Sequence, residues 1–133
     1  MRSYADREIF NDREKATWCD AVDMVARVRS TWGNELRCHE LVRATAKVLG
    51  QLSRQVMLVD GKLWAIEHSW LTLHTPLGRH AILDVYCPGR IPQVQLIDAH
   101  WSVSRGYEPG PVRTDIKLDI VEKLVQEMHH PKS

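Results

Sequence analysis

In the stretch ELRCHELVRATAKVLG, Cys38 stands at the foot of an apolar segment whose periodicity predicts a helix. A thiol is a good nucleophile only as thiolate, and a helix N-terminus favours the thiolate through its dipole and free N–H groups. Those N–H groups can also stabilise an oxyanion. Against this, free cysteines are among the most buried of residues and are usually inert. His68 follows in AIEHSWLTL and Asp84 in HAILDVY. Thiol, imidazole and carboxylate thus occur in an order that suits nucleophile, base and orienting acid. Asp98, closing QLID, is a second candidate for the acid, and Glu67 alternates away from His68 towards a basic side chain or water.

These groups act together only if the elements carrying them bring them to one place. Strand alternation puts Trp64, Ile66, His68 and Trp70 on one face, with Leu63, Ala65, Ser69, Leu71 and Leu73 on the other. Both faces are largely apolar, which predicts a central strand and an imidazole at least half buried. Such a ring needs a polar partner, and a backbone carbonyl would serve as well as a carboxylate. Asp84 sits between AIL and VY and is costly to bury unpaired. The turn at 76–78 decides whether the two meet: an odd number of residues puts them on one face, an even number on opposite faces. Gly78 suits a three-residue turn with a bulge, which is odd.

The rest of the chain reads as a frame for this strand pair. Trp18, Val22, Val25 and Val28 predict an amphipathic helix over 11–29, capped by Asn11 or Asp12 and broken at Gly33-Asn34. A helix over 37–49 is apolar nearly all round, so it belongs inside the domain, and Gly50 should stop it. Asp60-Gly61 suits the tight turn of a hairpin between QVMLV and KLWAIEHSWLTL. HAILDVY and QVQLI are further strands, 98–113 reads as a loop, and 114–128 as a closing helix with Ile116, Ile120, Leu124 and Met128 as its stripe. Trp64 and Trp70 are expected in the core, and Cys19 and Cys87 as packing thiols. The order of helix, helix, about four antiparallel strands and helix is an α+β class in one domain, 1–133.

Composition narrows the functions. Lys and Arg number 18 against 17 Asp and Glu in 133 residues, so no charge excess draws nucleic acid or a membrane surface. The charged N-terminus lacks an apolar leader, and no run approaches the ~18 apolar residues of a membrane span, so a cytoplasmic protein is expected. Three widely spaced cysteines do not form a disulfide framework. Zinc is the chemical rival, with Cys38, His39, His74, His80, Cys87 and His100 as possible ligands. No C-x₂-C pair and no helical H-x₃-H pair is present, so neither a metal nor another cofactor is expected.

A cysteine on the first turn of a buried helix, then His-x-Trp on a strand and Asp in an ILD strand, resembles the transglutaminase-like superfamily. That group shares its core with papain-like cysteine peptidases. The resemblance covers 32–97, about half the chain. It implies a papain-like core in which the Cys38 helix packs on the antiparallel sheet, flanked by the N- and C-terminal helices. It further implies a nucleophilic Cys38, a general base and acid in His68, and an orienting Asp84. The reaction would be acyl transfer through a thioester on an amide or peptide bond of a peptide or protein. The chain departs from the pattern in having His39-Glu40 after the cysteine and no glutamine before it. Asn34 or the Trp32 indole is the expected substitute oxyanion donor, and Trp70 and Trp101 are candidates for substrate contact. A non-catalytic binding module on the same fold, using the loop from Trp101 to Tyr107, is the alternative.

Overall fold

The computed structural model describes residues 10–32, 36–74, 80–86, 94–99 and 106–129. Its first helix, α1 (Asp12–Trp32), opens with a reciprocal cap. The Asn11 Oδ1 accepts the Glu14 N–H, and the Glu14 Oε1 accepts the Asn11 N–H, each at 2.8 Å. Two of the four orphan donors of the helix start are satisfied this way. Met24, Val25 and Val28 turn inward, whereas Cys19 lies off that stripe and is exposed rather than packed.

The second helix, α2 (Cys38–Gln51), is buried on most sides, as its all-round apolar sequence predicts. Gly50 does not stop it. The helix runs through Gly50 and ends where Ser53 takes a left-handed φ of 62°. The Arg54 N–H then closes on the Leu49 carbonyl at 2.9 Å.

Four strands follow as a meander: β1 (Met57–Leu63), β2 (Ile66–His74), β3 (His80–Asp84) and β4 (Gln95–Asp98). The first hairpin turns at Trp64-Ala65, with φ of 49° and 70°, and not at Asp60-Gly61. Two left-handed residues are what a two-residue hairpin loop demands, and tertiary contact lets non-glycine residues supply them. The Trp64 indole lies over Gly106, where a Cβ would come within 2.3 Å of the ring. Trp64 therefore sits at the tip, 63% exposed, instead of in the core.

Gly61 has a different role from the one its Asp-Gly setting suggests. It lies inside β1, opposite His68, where a further strand, β5 (Tyr107–Pro109), pairs antiparallel with it. A Cβ at Gly61 would stand 2.0 Å from the Glu108 carbonyl oxygen, so the residue permits close backbone approach. The sheet thus has five antiparallel strands in the order β4-β3-β2-β1-β5, one more than expected. A three-residue strand inside a Gly- and Pro-rich segment is too short to show a period.

The last helix, α3 (Leu118–His129), starts four residues later than the stripe predicts. The residues before it are not helical, and the Lys117 N–H is donated to the buried Glu40 carboxylate at 3.1 Å. The three helices enclose one large core with one face of the sheet, through Leu41, Leu49, Leu71, Leu83, Leu96 and Leu124. The other sheet face carries a smaller cluster of Trp70, Ile82 and Ile97, flanked by Val59 and Tyr107. The fold is α+β. Among the described residues, no helix is long and apolar enough to cross a membrane.

Candidate active site

The two faces of β2 arrange the polar groups. Its pairing with β3 joins Leu71 to Leu83, Thr72 to Ile82 and His74 to His80. Five residues separate His74 from His80, an odd number, so His68 and Asp84 share a face; the shape of 75–79 itself lies outside the described residues. Both side chains are fully buried, and His68 Nε2 lies 2.8 Å from Asp84 Oδ2. The Tyr107 hydroxyl donates to the same oxygen at 2.6 Å, and the Tyr86 N–H donates to Oδ1 at 3.0 Å. The carboxylate is thus held from three sides. Burial alone would push the imidazole down. The hydrogen bond to Asp84 and the nearness of Cys38 outweigh this and push it up to about 9.

Cys38 is the first residue of α2 and is partly exposed, beside the His68 ring. The second ring nitrogen, Nδ1, is buried and makes no hydrogen bond of ordinary geometry. Catalytic pairs are often loose before substrate arrives. Arg37 occupies the N-cap position in an extended conformation, and no side chain caps the helix. The amides of the first turn stay beside the sulfur as potential donors to an oxyanion.

A second polar chain runs on the opposite face of β2. His39 Nδ1 lies 2.7 Å from Ser69 Oγ and 3.6 Å from Cys38 Sγ. Ser69 donates to Asp60 Oδ1 at 2.5 Å. Arg43 grips Asp60 with two N–H groups, at 3.1 and 2.6 Å, and the Arg113 N–H adds a third contact at 3.1 Å. Burial pushes the Asp60 carboxyl up, but Arg43, Ser69 and that N–H together hold it below the ordinary aspartate value. Burial pushes His39 down, aided by the Arg113 and Arg37 guanidiniums. Glu40 is anchored by Arg37 and the Lys117 N–H, which ties the start of α2 to the approach to α3.

The other expected residues fall in different places. Asn34 and Trp101 lie outside the described residues. The Trp32 indole is not free to serve an oxyanion, because its N–H is donated to the Glu127 carboxylate on α3 at 2.9 and 3.2 Å. Trp70 is 2% exposed and therefore offers no surface to substrate. It stacks 6.1 Å from His68 and meets Tyr107 edge-on at 5.1 Å, which fixes the imidazole plane. Asp98 pairs with Ala81, which puts it on the helix-side face, away from His68. Glu67 meets Arg113 at 3.1 Å near the surface, as expected. Among the described residues no three His, Cys, Asp or Glu side chains gather as metal ligands; Cys87 and His100 lie outside them.

Three members of the site were not read as such from sequence. Tyr107 ends the loop read as a contact surface in the binding-module alternative, and its hydroxyl instead braces Asp84. Asp60 was expected in a turn, yet it follows MLV as Asp84 follows AIL, and the same argument about a buried carboxylate applied to it. His39 was read as a possible metal ligand and as a departure from the family pattern, not as a partner of the sulfur. No known protein family, curated protein or solved structure matches the chain.

Proposed function

We propose that the chain is a cysteine-dependent hydrolase or acyltransferase that acts on amide or peptide bonds, isopeptide bonds included, through a thioester. Cys38 is the nucleophile, His68 the base and acid, and Asp84 the group that orients His68. One observation carries this reading: a fully buried imidazole is bound at Nε2 by Asp84, its Nδ1 is unbonded, and the Cys38 thiol lies beside it. A histidine kept for structure satisfies both nitrogens with fixed partners. A cysteine opening a buried helix, a histidine on β2 and an aspartate closing β3 also support a core of the transglutaminase-like or papain-like kind.

In the proposed mechanism the Cys38 proton passes to His68, and the thiolate attacks the acyl carbon of a peptide or protein substrate. The carbonyl oxygen takes up negative charge against the first-turn amides of α2. His68 gives its proton to the leaving amine as the C–N bond breaks, and a thioester remains on Cys38. Asp84 stabilises the imidazolium that this transfer forms, and a ring pushed up to about 9 holds the proton at neutral pH until the leaving amine takes it. Water or a second amine then gives a proton to His68 and attacks the thioester, which restores the thiol. A reducing, cytoplasmic setting suits such a thiol.

Peptide and ubiquitin-like electrophiles test the reading. A covalent adduct at Cys38 is expected by mass spectrometry, formed about 10²–10⁴-fold more slowly in His68→Ala. Folded protein that yields no Cys38 adduct with any member of the panel would sink it. The exposed tip residues Trp64 and Ile66, at 63% and 57%, favour a second reading as a non-catalytic binding module. Slow alkylation of Cys38 that is indifferent to His68→Ala would select that reading.

A further inference from the structure

Helix α2 brings a second imidazole to the sulfur. His39 Nδ1 stands 3.6 Å from Cys38 Sγ and 2.7 Å from Ser69 Oγ. Ser69 has one hydroxyl hydrogen, and it is donated to Asp60 at 2.5 Å. Asp60 has none to give in return, because Arg43 grips both its oxygens and the Arg113 N–H is donated to one of them. Ser69 can therefore meet His39 only as an acceptor, which puts a hydrogen on His39 Nδ1. Ring orientation alone would leave that tautomer open. Here a chain of hydrogen bonds ending on a paired carboxylate decides it, and the protonated atom is the one next to the sulfur.

We propose that His39 is a second hydrogen-bond donor to Cys38, its Nδ1–H shared between Ser69 Oγ and the sulfur. Asp60 and Ser69 act as positioning residues that fix the tautomer. The proposal rests on the reading of Cys38 as nucleophile and adds a division of labour to it. His68 carries the proton that moves to the leaving group. His39 keeps its proton, because the Ser69 lone pair holds it there, and so steadies the thiolate through every step. Burial and the nearby guanidiniums of Arg113 and Arg37 keep His39 neutral, so it donates without adding a second positive charge beside His68. His39 is 7% exposed, which leaves little room for water to compete for the same hydrogen.

Two measurements test this. Long-range ¹H–¹⁵N spectra of the wild-type protein should show His39 with its hydrogen on Nδ1; a ring protonated only at Nε2 overturns the proposal. Iodoacetamide alkylation of Cys38 at pH 7 then compares wild type with His39→Leu, His39→Asn, Ser69→Ala and His68→Ala. Leucine removes the donor, whereas the asparagine amide puts an N–H close to the place of Nδ1. His39→Leu should slow alkylation about tenfold, in line with one lost hydrogen bond to a charged group, and His39→Asn should keep it within about threefold. Ser69→Ala should fall between them. A folded His39→Leu that reacts at the wild-type rate overturns the proposal, and if that variant does not fold the wild-type tautomer decides. A loss of rate in His68→Ala with none in His39→Leu removes this inference alone, whereas no loss in His68→Ala removes the acyl-transfer reading itself.

Discussion

His68 and His39 approach the same sulfur, and each stands near a buried aspartate, yet their ionisation is driven in opposite directions. His68 touches its carboxylate directly, at 2.8 Å, and the contact outweighs burial so that the ring favours its charged form. His39 meets Asp60 only through the Ser69 hydroxyl, and Arg43 has already neutralised that carboxylate. Burial then governs, and the ring favours its neutral form. Neighbouring residue types are alike on the two faces of β2. What separates them is whether the carboxylate charge is left for the ring or taken by a guanidinium.

The comparison predicts that stability and reactivity depend on opposite faces. The largest stability effect should come from Asp60→Ala, which strands the largely buried Arg43 guanidinium. We expect a loss of about 3–5 kcal/mol in urea unfolding. Asp84→Ala should cost less, about 1–3 kcal/mol, because His68 can shed its proton and remain buried as a neutral ring. The same variant should slow Cys38 alkylation at pH 7 more than Asp60→Ala does. If Asp84→Ala proves the more destabilising of the two, the contrast between a titratable and a fixed cation is wrong.

The pH dependence of Tm sharpens the contrast. A ring raised from 6.5 to about 9 on folding contributes stability that is fully present below 6.5 and is lost as pH rises through 9. A ring lowered on folding does the reverse, and its share of stability is lost as pH falls below 6.5. His68→Ala should therefore flatten the decline of Tm between pH 7 and 10, and His39→Asn should flatten part of the decline just below pH 6.5. Asp60 and Glu40 also lose stabilisation towards acid, so that limb should persist in part. An alkaline limb that His68→Ala leaves unchanged would show that the ring is not charged in the folded protein.

The smallest effect is expected from Tyr107→Phe, which removes one of the donors to Asp84 and leaves the rings packed. A loss of about 1–1.5 kcal/mol is expected, with Cys38 still reactive, since the His68 and Tyr86 contacts remain. A loss of reactivity as large as that of Asp84→Ala would move Tyr107 from a brace to an essential partner of the carboxylate.

Much of the frame was legible because it follows from local pattern. The start of α1 was placed at Asn11 or Asp12, and Asn11 is the residue that caps it, with Glu14 returning the bond. The residues of α2 are apolar all round, and the helix is central. His68 and Asp84 lie between apolar neighbours, and each is the other's partner. The errors arose where one local signal has two physical causes. Asp60-Gly61 has the composition of a tight turn, but Gly61 is required by the close approach of β5 and Asp60 by Arg43. The true turn uses Trp64 and Ala65, whose left-handed geometry no propensity favours.

By itself, then, the sequence determined the α+β class, the central helix with Cys38 in its first turn, and a histidine and an aspartate that each needed a polar partner if buried. Periodicity, caps and the cost of an unpaired buried charge are properties of short stretches of chain. Only the tertiary structure decided that the 74–80 connection has the odd parity His68 needs and that Tyr107 returns beside Asp84. It alone also decided that His39 reaches Asp60 through Ser69. These contacts join residues 9 to 30 positions apart, and their geometry depends on strand register and helix docking, which no local stretch contains.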